Sequence, residues 1–317
     1  MKEYKTFNQQ LAILRSRGLE VPTNGQPKRF LETENYYNII NGYKDLFLER
    51  TDDNKPIIPE QYRKGTHFNE LKALFLFDRE LRFIFLKYVL IFENSFKTVI
   101  SHEFCRKYPK PNSYLEIKNY VENNPKKVLQ QIAILTKTIH DKVDKEGAIK
   151  HYIEEYGAVP LWGLVNYLTI GNLAHLYDIL IDADKNVIAK FYYDKYVKQY
   201  VSNNVLRISG ADLASALKII NLVRNKCAHD ERLYNSNFRN VKVANVAKHF
   251  KFEHYDNSRI IVAILYLKLL LDKKYFQKFY SELTKLLEKY RKAFHSVSFS
   301  EILNIMGIDL QDLQLLK

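Results

Sequence analysis

Apolar positions recur at helical spacing along almost the whole chain, and that periodicity predicts helices rather than strands. Phe7–Arg17 points Leu11 and Leu14 inward and closes at Gly18, the residue type favoured just past a helix end. Pro22, Asn24, Gly25 and Pro27 form a loop, and Lys28–Glu34 and Tyr36–Phe47 read as two short helices. Thr51–Pro59 is polar with two prolines, which predicts a linker or subdomain edge. The longest apolar run is Asn69–Tyr108. Its centre, FIFLKYVLIF, is hydrophobic on every side and predicts a helix buried in a bundle. Pro109, Pro111 and Asn112 stop it, and Asn124-Pro125 starts another helix reaching Val143. Gly157–Pro160 is a break. Helices follow over Pro160–Leu180, interrupted at Gly171, then Ile188–Val205, Ala211–Ala228, Arg259–Leu271 and Lys273–Lys292, with Asp230–Asn245 as loop. The expected architecture is all-α: an N-terminal helical segment (1–60) and a helical core (61–317).

Composition narrows the classes. With 10 Gly and 8 Pro in 317 residues, turns are few, which disfavours sandwiches, barrels and doubly wound sheets. Two cysteines, Cys105 and Cys227, make no disulfide framework and suit a reducing compartment or a core. No apolar stretch follows Met1-Lys2-Glu3-Tyr4-Lys5, and Phe83–Phe92 is too short to span a bilayer. A soluble cytoplasmic protein with no membrane association is expected. The net charge of +13 favours a polyanionic partner as a prior. Walker A, GxGxxG and HExxH motifs do not occur, so nucleotide hydrolysis and zinc proteolysis have no support.

The chemically informative segment is SGADLASALKIINLVRNKCAHDERLYN, Ser209–Asn235. On a helix turning about 100° per residue, Leu213, Leu217, Ile220, Val223 and Cys227 share one arc, and Arg224 falls inside it. A guanidinium stays protonated, and burying it unpaired costs several kcal/mol or more. Arg224 therefore needs a carboxylate in the core, with Glu93 a candidate, or lines a cleft that takes an anion. Asn225 and His229 are four apart and share a face, so the amide can fix the imidazole tautomer. Arg224 and His229 are five apart, about 140° around an ideal helix. They converge only if the helix end distorts near Cys227–Ala228, if the arginine arm bends back, or if a second chain supplies one of them. Brought together, such groups fit RNA: the histidine moves a proton at a 2′-OH or a 5′-oxygen, and the arginine forks onto non-bridging oxygens. An Arg held in a structural ion pair and a His capping a helix end are the simpler alternatives.

Arg224-Asn225-Lys226-Cys227-Ala228-His229 resembles the R-x4-H motif of HEPN ribonucleases, in its R-N-x3-H form. The string RNKCAHDERLYN is similar to the end of the Abi-like abortive-infection family of the AbiD/AbiF type. The segments LRSRGL with NYYNIINGYKDLFLE, GTHFNELKALFLFDRELRFIFLKYVLIFENSFKTVISHEF, and VPLWGLVNYLTIGNLAHLYDIL resemble that family in the same order. The resemblance implies a HEPN-type helical bundle and RNA cleavage or RNA binding. It also implies a setting in phage defence or a toxin–antitoxin pair, a small non-coding RNA as restraining partner, and a site built across a homodimer. On it, Arg224, Asn225 and His229 are the catalytic set, with no metal and no cofactor.

A second region, FENSFKTVISH, sets Glu93 and Lys97 at i, i+4, either a surface pair or a means of orienting Arg224. Lys97 and His102 repeat the motif spacing with Lys in place of Arg, and Lys cannot fork onto phosphate. Glu93, Lys97, His102 and Lys226 are expected to support the site or contact RNA. His249 and His254 are five apart with no cysteine nearby, which argues against zinc. The Tyr- and Lys-rich stretches Phe191–Tyr200 and Lys273–Lys292 read as a groove for single-stranded RNA, although AT-rich coding alone gives such a composition. Trp162 reads as packing. The expected function is a metal-independent endoribonuclease cutting by 2′-OH attack. The alternatives are a non-catalytic protein holding a small RNA and a helical interaction protein.

Overall fold

The computed structural model describes residues 3–200, 207–239, 241–253 and 255–317. Helices α1 (Phe7–Ser16) and α2 (Gln26–Thr33) lead into a π-turn over Tyr37–Asn41 and a 3-10 turn over Lys44–Phe47. Then come α3 (Phe68–Lys107), α4 (Pro125–Val143), α5 (Ala148–Tyr156), α6 (Leu161–Leu164), α7 (Ile170–Ile179), α8 (Asp182–Tyr200) and α9 (Gly210–Ala228). Four more close the chain: α10 (Ala244–His249), α11 (Ile261–Leu270), α12 (Lys273–Tyr290) and α13 (Phe299–Met306), followed by the single turn α14 (Leu310–Gln314). Among the described residues β-structure is limited to isolated bridges, such as Glu20 with His67. The fold is all-α, as the periodicity predicts.

The 40-residue α3 is the spine, about 60 Å long at 1.5 Å per residue. A capping box starts it: His67 Nδ1 accepts the Asn69 N–H at 3.0 Å, and Glu70 Oε1 accepts the His67 N–H at 3.0 Å. It ends at Tyr108, where Pro109 forbids a further helical turn. Its neighbours are chiefly α9 and α12. Helix α9 runs antiparallel to it. Arg82 reaches Asp230 just beyond the end of α9, whereas Phe96 meets Tyr177, whose hydroxyl donates to the Gly210 carbonyl at the start of α9.

Two expectations change. The centre of α3 is not enclosed on every side: Phe83 is 63% and Leu90 45% exposed. Seven residues apart, they share one open stripe. The helix buried all round is α11, every residue of which is buried. The break in Pro160–Leu180 lies at Leu168–Thr169, where Thr169 and Asn172 form a capping box. Gly171 sits inside the first turn of α7, because a Cβ there would stand 3.1 Å from Asn221 Oδ1 on α9. The expected helix over Ile188–Val205 is found as far as Tyr200, and its remainder lies outside the described residues.

The N-terminal segment shares the common apolar core: Leu14, Ile40 and Phe47 belong to it with Phe85 and Ile220. In α11, Lys268 is buried at 4% exposure. It donates to the Leu316 carbonyl at 2.9 Å and lies over the Tyr200 ring. Burial and the neighbouring Lys273 push its ammonium down to about 8. Between there and its ordinary value of 10.5, the unfolded chain holds a proton that the folded chain has released, so this group adds stability as pH rises. Comparing urea unfolding of Lys268→Met and parent at pH 7.5 and 9.5 isolates it from the buried tyrosines. The parent should gain on the order of 2 kcal/mol over the variant across that interval.

Candidate functional site

Helix α9 carries the site because its apolar arc is long and regular. Leu213, Leu217, Ile220, Val223 and Cys227 are all buried, and a Ser209–Asp212 capping box fixes its start. Arg224 lies half-buried in the same arc. Its Nε is buried without a hydrogen-bond partner, and no carboxylate pairs with it among the described residues. Glu93 is not that carboxylate. It binds Lys97 at 3.1 Å, both side chains are largely buried rather than at the surface, and its second oxygen is also buried and unpaired.

The helix end is regular. The His229 N–H donates to the Asn225 carbonyl at 2.9 Å, and His229 is the exposed last residue of the turn. Distortion at Cys227–Ala228 is therefore not the route by which Arg224 and His229 could meet. The two are separated by about 7.5 Å along the axis and about 140° around it. Asn225 does not hold the imidazole: its Nδ2 donates to Asn221 Oδ1 at 3.4 Å. Lys226 pairs with Glu231 at 3.2 Å. His102 is far out in solvent, 70% exposed beside Glu103, and is not joined to Lys97.

Beyond His229 the chain turns through Asp230, which has a left-handed φ of 56°. Its carboxylate pairs with Arg82, which is buried at 2% exposure. Arg82 also binds Asp78 at 2.7 Å. Asp78 in turn accepts the Tyr234 N–H at 2.7 Å, the Leu233 N–H at 3.1 Å and the Tyr43 hydroxyl at 2.8 Å. Burial pushes the Asp78 carboxyl up, while Arg82 and these donors pull the other way. Burial and Asp78 push the Tyr43 hydroxyl up as well, so it remains a donor. Arg232 closes the circle by donating to the Gly42 carbonyl. This hub, which the sequence reading missed, holds the segment after the motif against both α3 and the N-terminal region. Its signal was present in LFDRELRF: Asp78 and Arg82 are four apart and share the face of α3 that carries Leu71, Leu74, Phe75, Leu81 and Phe85.

A polar cleft of about 460 Å³ opens beside the hub. Lys226, Asp230 and Arg232 face Tyr37, Asn38 and Asn41 across it, and Tyr37 is 69% exposed. Cys227 is buried under the motif and its thiol is pushed up to about 12, which leaves it inert. Cys105 and Cys227 are both free thiols.

The other candidates fare differently. His249 Nε2 lies 3.3 Å from the Tyr196 hydroxyl, and burial lowers its pKa. His254 lies outside the described residues. The aromatic rings expected to grip RNA mostly turn inward: Tyr192, Tyr196, Phe276, Phe279 and Tyr290 are buried. The amphipathic helix requirement outweighs the groove there, with lysines on the outer face. Trp162, expected to pack, is 55% exposed. Among the described residues, no helix is long and apolar enough to cross a membrane.

The structure is an all-helical bundle in which Arg224, without a hydrogen-bond partner at Nε among the described residues, stands five residues before the exposed His229. A family model described as Abi-like protein matches residues 29–235, well over half of the 317-residue chain. The chain belongs to the Abi-like family, which supports a part in abortive infection. The match ends at Asn235, so it takes in the motif and the hub. No curated protein and no solved structure matches the chain.

Proposed function

We propose that the protein is a metal-independent endoribonuclease of the HEPN type, acting in abortive infection. The observation that carries this reading is Arg224, a guanidinium on a buried helix arc whose Nε has no partner. A cation so placed is favoured by an anion from outside the fold, and His229 at the open helix end supplies an imidazole five residues further on. Phosphodiester geometry uses both. His229 withdraws the proton from a 2′-OH, the oxygen attacks phosphorus, the bond from phosphorus to the 5′-oxygen breaks, and the leaving oxygen takes that proton from the imidazolium. The products are a 2′,3′-cyclic phosphate and a 5′-hydroxyl. Arg224 neutralises charge growing on the non-bridging oxygens.

Because a regular helix holds Arg224 and His229 on different sides, a second copy completes the arrangement: Arg224 of one protomer acts with His229 of its partner. RNA enters across the polar cleft, where Lys226 and Arg232 meet phosphate.

The test is incubation of purified protein with total RNA in EDTA, with fragment ends mapped chemically. Cleavage with cyclic phosphate ends is expected. RNA binding with a steep salt dependence but no cut ends would replace the reading by that of an RNA-holding protein.

A further inference from the structure

Far from the motif, the end of α3 turns through Pro109–Tyr114 and meets α5 and α6 around a cavity of about 310 Å³. It lies roughly 30 Å along α3 from Arg82. Its walls are flat rings, among them Tyr108, Tyr152, Tyr156 and Trp162, and among the described residues its lining holds one cation, Lys110, and no carboxylate. The site is built by close packing. Gly163 lets the Tyr152 ring approach so near that a Cβ would stand 2.9 Å from it, which clamps α5 onto α6 beside Trp162. Tyr152 and Tyr156 sit 6.0 Å apart, centroid to centroid. At the rim two large rings remain open, Tyr156 at 71% and Trp162 at 55% exposure. The indole makes no ring contact, and its N–H donates to nothing, among the described residues.

We propose that this cavity binds an unpaired nucleobase, from a single-stranded RNA or a free nucleotide, stacked on Trp162 and Tyr156 with its phosphate beside Lys110. Every base has a π-face, so stacking on open aromatics is tolerant of sequence. The volume lies at the small end of ligand pockets and suits one ring with its sugar. The lone lysine and the net charge of +13 match an anionic ligand. Proline-rich peptides also use aromatic walls, but they lie along an extended groove. The inference deepens the RNA reading and rests on it only in taking RNA as one source; it does not use Arg224 or His229.

Trp162 is the single tryptophan of the chain, so its fluorescence reports directly on the site. The full-length protein is titrated with AMP, UMP, a 2′-O-methyl oligoadenylate that cannot be cut, and the same oligomer as a duplex. Saturable quenching by nucleotide or single strand and none by duplex is expected. Tyr156→Ala, at a position 71% exposed, should weaken binding about 10-fold or more with the far-ultraviolet circular dichroism of the parent. Tighter binding of the oligomer than of AMP identifies RNA as the source, and equal binding identifies a free nucleotide. Absence of saturable quenching, quenching indifferent to Tyr156→Ala, or quenching by a proline-rich peptide alone overturns the proposal. A parent that quenches but cuts no RNA defeats the nuclease reading and leaves this one standing.

Discussion

His229→Ala should lower RNA cleavage by about 10²–10⁴, while far-ultraviolet circular dichroism stays that of the parent. Fold and chemistry separate cleanly at this position. The side chain is exposed, and only its backbone N–H serves the helix, through the bond to Asn225. Arg224→Ala should cost a further measurable step of its own, about 10²–10³, because on the proposed mechanism the guanidinium meets developing charge, and no acid pairs with it among the described residues. Mixing the two variants sharpens the test. If the site spans two protomers, a mixed dimer of Arg224→Ala and His229→Ala retains one intact pairing and regains up to half of the activity. Full activity in either variant alone would remove the residue from the chemistry.

Asp78→Ala should be the most damaging change to stability, at about 3–5 kcal/mol. The carboxylate sits fully buried between Arg82, the Tyr43 hydroxyl and two backbone N–H groups. Its removal strands a buried charge whose remaining acid, Asp230, is itself 66% exposed and therefore a solvent-weakened partner. Urea unfolding followed by circular dichroism measures the loss. The double variant Asp78→Leu with Arg82→Met should recover part of it, since the uncompensated charge goes too. A loss under about 1 kcal/mol in the single variant would show that Asp230 alone satisfies Arg82.

Much of this architecture is readable from the chain because helical spacing is a local property. The capping chemistry and Pro109 bound α3 within a residue of the Asn69–Tyr108 expectation. What the pattern could not give is which side of a helix finds a neighbour. Phe83 and Leu90 look like core in sequence and stand open in the structure. The tyrosines of α8 and phenylalanines of α12 look like a binding track and face inward. The helical wheel placed Arg224 within the arc that holds Leu213, Leu217, Ile220, Val223 and Cys227, but that it finds no carboxylate among the described residues is a tertiary fact that the wheel does not carry. The same argument, applied to Arg82 in the apolar run of α3, would have found the hub, since Asp78 lies one turn earlier. Trp162 was misjudged because its exposure is set by where α5 docks, a tertiary event without a local signature.

The tie between Asp78, Arg82 and the residues after His229 has a practical consequence for genetic selection. If the proposed activity kills the host, screens for harmless variants should return lesions in FDRELR and ERLY alongside the motif itself. The former would act by lowering the amount of folded product, the latter by disarming it. Immunoblots of the soluble fraction would sort the two groups, and only alleles with normal accumulation would be suitable as inert traps for the RNA that the proposed function calls for.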